Sequence, residues 1–500
     1  MAAVTGLAAC SGTIAPPGSA YASHVAATAA APPPVAVTRA PSAADSVLAG
    51  PAPGALTAAF ARTLFVTAPV VVVSLGPASP AALAAARAAH APLLLAAQGT
   101  AAAIAQLAAS ARALHPVAVL AEGLPAAAAA ELAKGLPGVK VVSRAAALPR
   151  TGTPAPLSHV AVLVPAGKPS PSVTAVTATA RAAGAAVVGV TGTDPRADPA
   201  AITALARLRP HNVVAIGAQF GPATRLASRV AVARTGRQLP GGGQVLFPGH
   251  RLVALYGHPG TPGLGVLGQQ DLAASISRAR QMAAEYQPLS RVPVVPTFEI
   301  IASVAEASPG PDGSYSYETP VSELLPWVRQ ATADGLYVVL DLQPGRASLL
   351  SQAEYYASLL ALPDVGLALD GEWKLQPGQK PLRQIGHVDI SEVNSVASWL
   401  AALTARDDLP QKLLVLHQFQ LSMLTGERDL DTSHDNLAIV IHMDGQGTPA
   451  LKQDTWDAVT AAAPPGVFFG WKNFLVKDHP MLTPGETMTK SPTPVMISYQ

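Results

Sequence analysis

Asp370 and Glu372 stand two residues apart at the end of an apolar run, in the stretch L-A-L-D-G-E-W-K-L over 367–375. If that run is a strand, residues i and i+2 face one side, and the two carboxyls project together. Carboxyls held side by side in a partly dry site repel and desolvate each other. That drives their pKa values apart into an acid and a base. Similar residues end other apolar runs: Tyr256 and His258, Glu299, Asp341 and Gln343, His417 and Gln418, His442 and Asp444, Trp471 and Lys472, and Tyr499. With Asp370 and Glu372, four of the sets are i, i+2 polar pairs, and the opposite ends of the runs, around Leu252, Val338 and Leu414, carry nothing comparable.

The chemistry this suits is acid–base cleavage of a glycan. Glu372 is the expected general acid, raised by Asp370 and Trp373, with Asp444, Glu299 or Asp341 as second carboxylate. Trp373 and Trp471 would offer flat apolar faces to a sugar ring. Tyr256, His258, Gln343, His417, Gln418, His442, Lys472 and Tyr499 would hold hydroxyls or charged substituents. Two other readings compete. In one, His258, Asp341, His417, His442 and Asp444 supply ligands to zinc or manganese in a metal-dependent hydrolase, although neither H-x-H nor H-E-x-x-H occurs. In the other, the domain binds a wall polymer and turns nothing over. No G-x-G-x-x-G opens a helix, and no cofactor is expected.

The elements that must position these residues are regular βα units. Expected strands are Arg251–Tyr256, Val292–Glu299, Leu336–Leu342, Val365–Asp370, Lys412–His417, Leu437–His442, Gly466–Trp471 and Pro494–Tyr499. Helical runs over 271–286, 321–333, 348–362, 391–405 and 452–462 separate most of them. Eight strands in about 250 residues is the size and order of a (β/α)8 TIM barrel, with chemistry at the C-terminal strand ends. A doubly wound open sheet is the alternative.

From 64 to 237, short strands again alternate with Ala-rich helices, as in a Rossmann-like, doubly wound α/β region. Laid on itself, the region repeats: Arg87-Ala88-Ala89-His90-Ala91 matches Arg181-Ala182-Ala183-Gly184-Ala185, and Gly123 matches Gly217 at the same offset. The division expected is 1–58 as leader remnant and Pro/Ala-rich disordered tether, and 59–238 as the duplicated domain. A flexible linker follows over 239–250, and the barrel over 251–500. Leu7-Ala8-Ala9-Cys10 is similar to a lipobox, with Cys10, the chain's one cysteine, as the lipidation site. An extracellular, surface-anchored protein is the expectation. A net charge of +2 with 13% charged residues leaves no basic footprint for nucleic acid. No apolar run reaches the 18 residues of a membrane span.

Three resemblances add to this. The segments Ala81–Ala97, Leu114–Gly123 and Val213–Gly217 resemble the cell wall-binding repeat 2 family, which implies attachment to wall polysaccharide. ALYGHPGTPGLG, VVLDLQPGR, LALDGEW, QKLLVLHQF, HMDGQGTP and PVMISYQ look like an uncharacterised surface or lipoprotein-type family of high-GC Gram-positive bacteria. The barrel is similar to glycoside hydrolases in architecture and acid placement. Its D-x-E resembles the chitinase-type signature without that signature's upstream Asp series.

Overall fold

A computed structural model describes residues 31–50 and 52–500; Cys10 and the expected lipidation site lie outside them. The N-terminal half contains two four-stranded parallel sheets. The first runs Leu93–Ala96, Val70–Leu75, Ala118–Ala121, Lys140–Val142 in spatial order. The second runs Ala186–Val190, Val160–Pro165, Asn212–Ile216, Asp45–Leu48. Asp45–Leu48 therefore fills in the second sheet the place that Lys140–Val142 fills in the first. This corrects the tether expected across that segment. The carbonyls of Pro41 and Ala43 accept from Asn212 Nδ2 at 3.1 and 2.8 Å, and Asp45 pairs with Arg234 at 3.2 Å. A four-residue strand among Pro and Ala has too little alternation to be read locally.

The helix Pro53–Leu64 buries Leu56, Phe60 and Leu64 in a core that also holds Val71, Leu94, Val162 and Val214, so both sheets share apolar contacts. Among the described residues no helix is long and apolar enough to cross a membrane.

The C-terminal half is a closed parallel barrel. Its strands are β1 (Arg251–Gly257), β2 (Val294–Ala305), β3 (Tyr337–Leu342), β4 (Val365–Leu369), β5 (Lys412–Gln418), β6 (Leu437–Met443), β7 (Phe468–Asn473) and β8 (Met496–Tyr499). Each pairs with the next, and β1 pairs in parallel with both β2 and β8. Closure removes the open-sheet alternative. It also removes both free edges.

Alternation along the strands sorts the residues into two layers. Leu252, Ala254, Val339, Ala368, Val415, Val440 and Met496 fill the barrel interior. Phe298, Leu340, Leu367, Leu414 and Ile439 face outward, against the surrounding helices. The segment expected as a flexible linker is instead a plug: Leu239, Leu246 and Phe247 join the interior cluster, closing the N-terminal end. Gln244 is fully buried there and donates to the carbonyls of Val232 and Arg237 at 2.9 and 2.7 Å.

Candidate active site

At the C-terminal end each strand turns one polar side chain inward: Tyr256, Glu299, Asp341, Asp370, His417, His442, Lys472 and Ser498. All eight are at most 3% exposed. Below them the interior is apolar, so these groups interact with one another rather than with bulk water. His417 stands at the centre. Its Nδ1 donates to Asp444 Oδ2 and its Nε2 to Glu299 Oε1, both at 3.0 Å, while Asp341 Oδ1 lies 3.9 Å from Nε2. A ring with a carboxylate at each nitrogen carries both protons. Burial alone would lower its pKa, but Asp341, Asp444 and Glu299 outweigh this and hold it well above 6.5.

Tyr256 donates its hydroxyl to Asp341 Oδ2 at 2.8 Å and accepts from Gln343 Nε2 at 3.4 Å. The Lys472 ammonium lies 3.5 Å from the centroid of the Tyr256 ring, a cation–π contact. His442 is hydrogen-bonded through Nε2 to the Ser498 hydroxyl at 2.7 Å, and burial lowers its pKa to about 4. Its ring therefore stays neutral at ordinary pH. Gly470 makes room for that ring, because a Cβ there would stand 2.6 Å from His442 Nδ1.

The five carboxyls divide into two sets. Burial pushes Glu299 and Asp444 up, yet their hydrogen bonds to His417 bring both below the ordinary carboxylate value. Asp341 is raised to about 6, chiefly by burial, against the pull of His417. Asp370 is raised well above 3.8 by burial, then by the charges of Glu372 and Asp341. Glu372 is raised to about 7 by burial and next by Asp444. Environments that push neighbouring carboxyls apart in this way separate acid from base.

Asp370 and Glu372 do come together, though not as strand neighbours. β4 stops at Leu369, and Gly371–Trp373 forms a 3-10 turn that carries Glu372 outward. Glu372 lines a cleft of about 330 Å³ with Trp373, Leu375 and Arg383, beside the buried cluster.

Four expected contributors lie elsewhere. Trp471 faces out of the barrel and packs with Met443, Trp456 and Leu482. Tyr499 also faces out, its hydroxyl 2.6 Å from that of Tyr286. Gln418, one residue past the inward His417, donates to Glu427 at 2.9 Å. His258 sits at the rim, its ring nitrogens 3.1 Å from the hydroxyls of Thr261 and Thr319, with no hydrogen bond to the cluster. The first three share one cause: a one-residue slip on a strand flips the face.

Gly470 and Ser498 escaped the sequence reading for that reason, since counting in twos from Lys472 and Met496 reaches them. A clamp beneath β7 had no signal in the sequence. Lys452 donates to the Lys472 carbonyl at 2.7 Å and pairs with Asp478, whose carboxylate accepts from Phe474 N at 2.9 Å and Gly447 N at 3.0 Å. It ties the strand end bearing Lys472 to the segment following Asp444.

Among the described residues no group of three or more His, Cys, Asp or Glu is disposed to hold a metal ion. Both nitrogens of His417, a ligand in the metal reading, point at carboxylates. What fold and site together define is a closed parallel barrel with a carboxylate-rich C-terminal mouth. Comparison of the chain with protein-family models, curated proteins and solved structures gave no match.

Proposed function

We propose that this chain is a surface-associated carbohydrate-active hydrolase of the glycosidase type. The observation that carries the reading is the arrangement of two carboxyls at the mouth: Glu372 lines the cleft and is raised to about 7, while Asp444 is held 3.0 Å from His417 Nδ1 and lowered. Glu372, at the cleft, donates its proton to the glycosidic oxygen as the C–O bond breaks. Asp444 is the second carboxylate. Its Oδ2 is held by His417, its Oδ1 has no hydrogen-bond partner, and its charge acts directly on Glu372. It serves as base for the water or as nucleophile.

Glu299 and Asp341 are positioning residues on this reading: they keep His417 protonated and the Tyr256 hydroxyl oriented. Lys472 and Trp373 contact the sugar.

The N-terminal region, a duplicated α/β unit in this proposal, attaches the barrel to an anionic wall polysaccharide, with Cys10 as a lipid anchor. Its support is a groove of about 970 Å³ lined by Arg87, Arg181, His90 and Thr177 and by no acidic residue. The two arginines are the equivalent residues of the repeat.

The test is release of reducing sugar from wall polysaccharide. Glu372→Gln is nearly isosteric and deletes the titratable proton, so the rate should fall ~10²–10⁴-fold with folding intact. Retention of the wild-type rate would assign the acid role elsewhere.

A further inference from the structure

The cleft beside Glu372 holds functional groups that the fold leaves unused. Its inner wall is the turn bearing Glu372 and Trp373. Its outer wall is a loop over 375–386, pinned at both ends. Leu375 N donates to Gly345 O at 2.8 Å, and Gly386 N donates to Glu372 O at 2.7 Å. A Cβ on Gly386 would overlap the carbonyl oxygens of Lys374 and Glu372, so only glycine closes the loop this tightly. Between the pins Leu382 is 85% and Ile385 42% exposed, beside the half-buried Trp373. These side chains add nothing to the core, and together they make an apolar rim around a polar opening.

Three polar groups at this cleft lack partners among the described residues. The Trp373 indole N–H is buried with no acceptor. Neither the Glu372 carboxyl nor the exposed Arg383 guanidinium appears in any hydrogen bond or ion pair, unlike Lys374 nearby, which is held by Glu392 at 2.8 Å. Arg383 is the cleft's cation. A pocket of this size with apolar walls and a few convergent polar groups takes roughly one sugar-sized unit. A planar guanidinium selects a carboxylate, which it can engage with two parallel hydrogen bonds.

We propose that this cleft is the leaving-group subsite and that it takes a sugar bearing a carboxylate, with Arg383 as the specificity-determining residue. Its role as the leaving-group side rests on the hydrolase reading, since the protonating residue forms one wall. The ring's apolar face packs on Trp373 and Leu382 while its carboxylate pairs with Arg383. A carboxylate bound there also favours the protonated form of Glu372, the form that the reaction consumes.

The experiment uses the full chain carrying Glu372→Gln, which prevents turnover. Calorimetry compares a trigalacturonide with the same trisaccharide after reduction of its carboxylates to alcohols. The acidic form should bind at least about tenfold more tightly, the scale of a charge-assisted hydrogen bond. Arg383→Ala, at an exposed position, should abolish the preference, and Arg383→Lys should restore part of it. Equal binding of the two trisaccharides, binding of neither, or a preference that survives Arg383→Ala overturns the subsite. If the preference behaves as expected and wild-type protein cleaves no glycan, the subsite stands and the hydrolase reading falls.

Discussion

Near pH 7 Glu372 is at the midpoint of its own titration, because burial and Asp444 raise it to about 7. An acid catalyst is useful only while protonated, so the hydrolytic rate should fall as pH rises through about 7. The acid limb should lie below the ordinary carboxylate range, where Asp444, held down by His417, takes up its proton. A rate maximum above pH 8 would contradict the assignment.

Asp370 gives a second prediction, on stability. Its folded-state pKa is raised above the ordinary 3.8. The linked stability is therefore fully present below that value and is lost as pH rises through the folded one. Asp370→Asn stays neutral throughout. The variant should melt higher than wild type at pH 8 and no higher at pH 3, a difference read by thermal unfolding at the two pH values. At this scale most of the site was legible: Glu299, Asp341, Asp370, His417, His442 and Lys472 are strand-end residues of the correct parity. The misses at Gln418, Trp471 and Tyr499 arose because polarity was read without counting which face each residue takes.

At the scale of elements, β7 shows how one strand serves both layers. Gly470 and Lys472 face the mouth while Phe469 and Trp471 pack outward with Trp456. Gly470→Ala would place a methyl against His442, whose ring is fixed by Ser498, so neither side yields easily. The expected cost is ~1–3 kcal/mol, the usual range for overpacking, read from denaturant unfolding. A neutral result would mean that the His442 ring has room to move.

Lys452 and Asp478 make a buried pair that sets where β7 ends. Removing one partner, as in Lys452→Met, leaves Asp478 buried without its cation, at ~3–5 kcal/mol. Should Lys452→Met unfold no more readily than wild type, the clamp holds nothing. The barrel's strands were legible because βα alternation of the right length recurs unit after unit. The clamp was not, since its partners come from separate segments and neither is in a motif.

For the whole molecule, the way the halves are joined is not legible in the sequence. Residues 239–250 read as a flexible linker because Gly241-Gly242-Gly243 and Gln244 stand near their centre, yet Leu239, Leu246 and Phe247 seal the barrel. Beside that plug lies an ionic cluster. Arg196 donates to Asp194 at 2.8 Å and to Asp435 at 2.7 Å. Arg229 donates to Asp435 at 2.5 and 2.9 Å. Asp435 belongs to the barrel and both arginines to the N-terminal half, so no local pattern could announce the contact.

Arg229 and Arg196 hold Asp435 below its ordinary value against the opposing effect of burial. Its contribution is present above that ordinary value and lost as pH falls through the folded one. Asp435→Asn removes the charge that two arginines share. The loss should be about 2 kcal/mol, less than for a sealed pair because the Asp435 side chain is 36% exposed. The barrel keeps its own closure and core, so the damage should fall on docking. Scanning calorimetry should show the N-terminal half melting earlier while the barrel's transition stays in place. An equal downward shift of one common transition would mean that the two halves unfold as a single unit, and the cluster would then be part of one core.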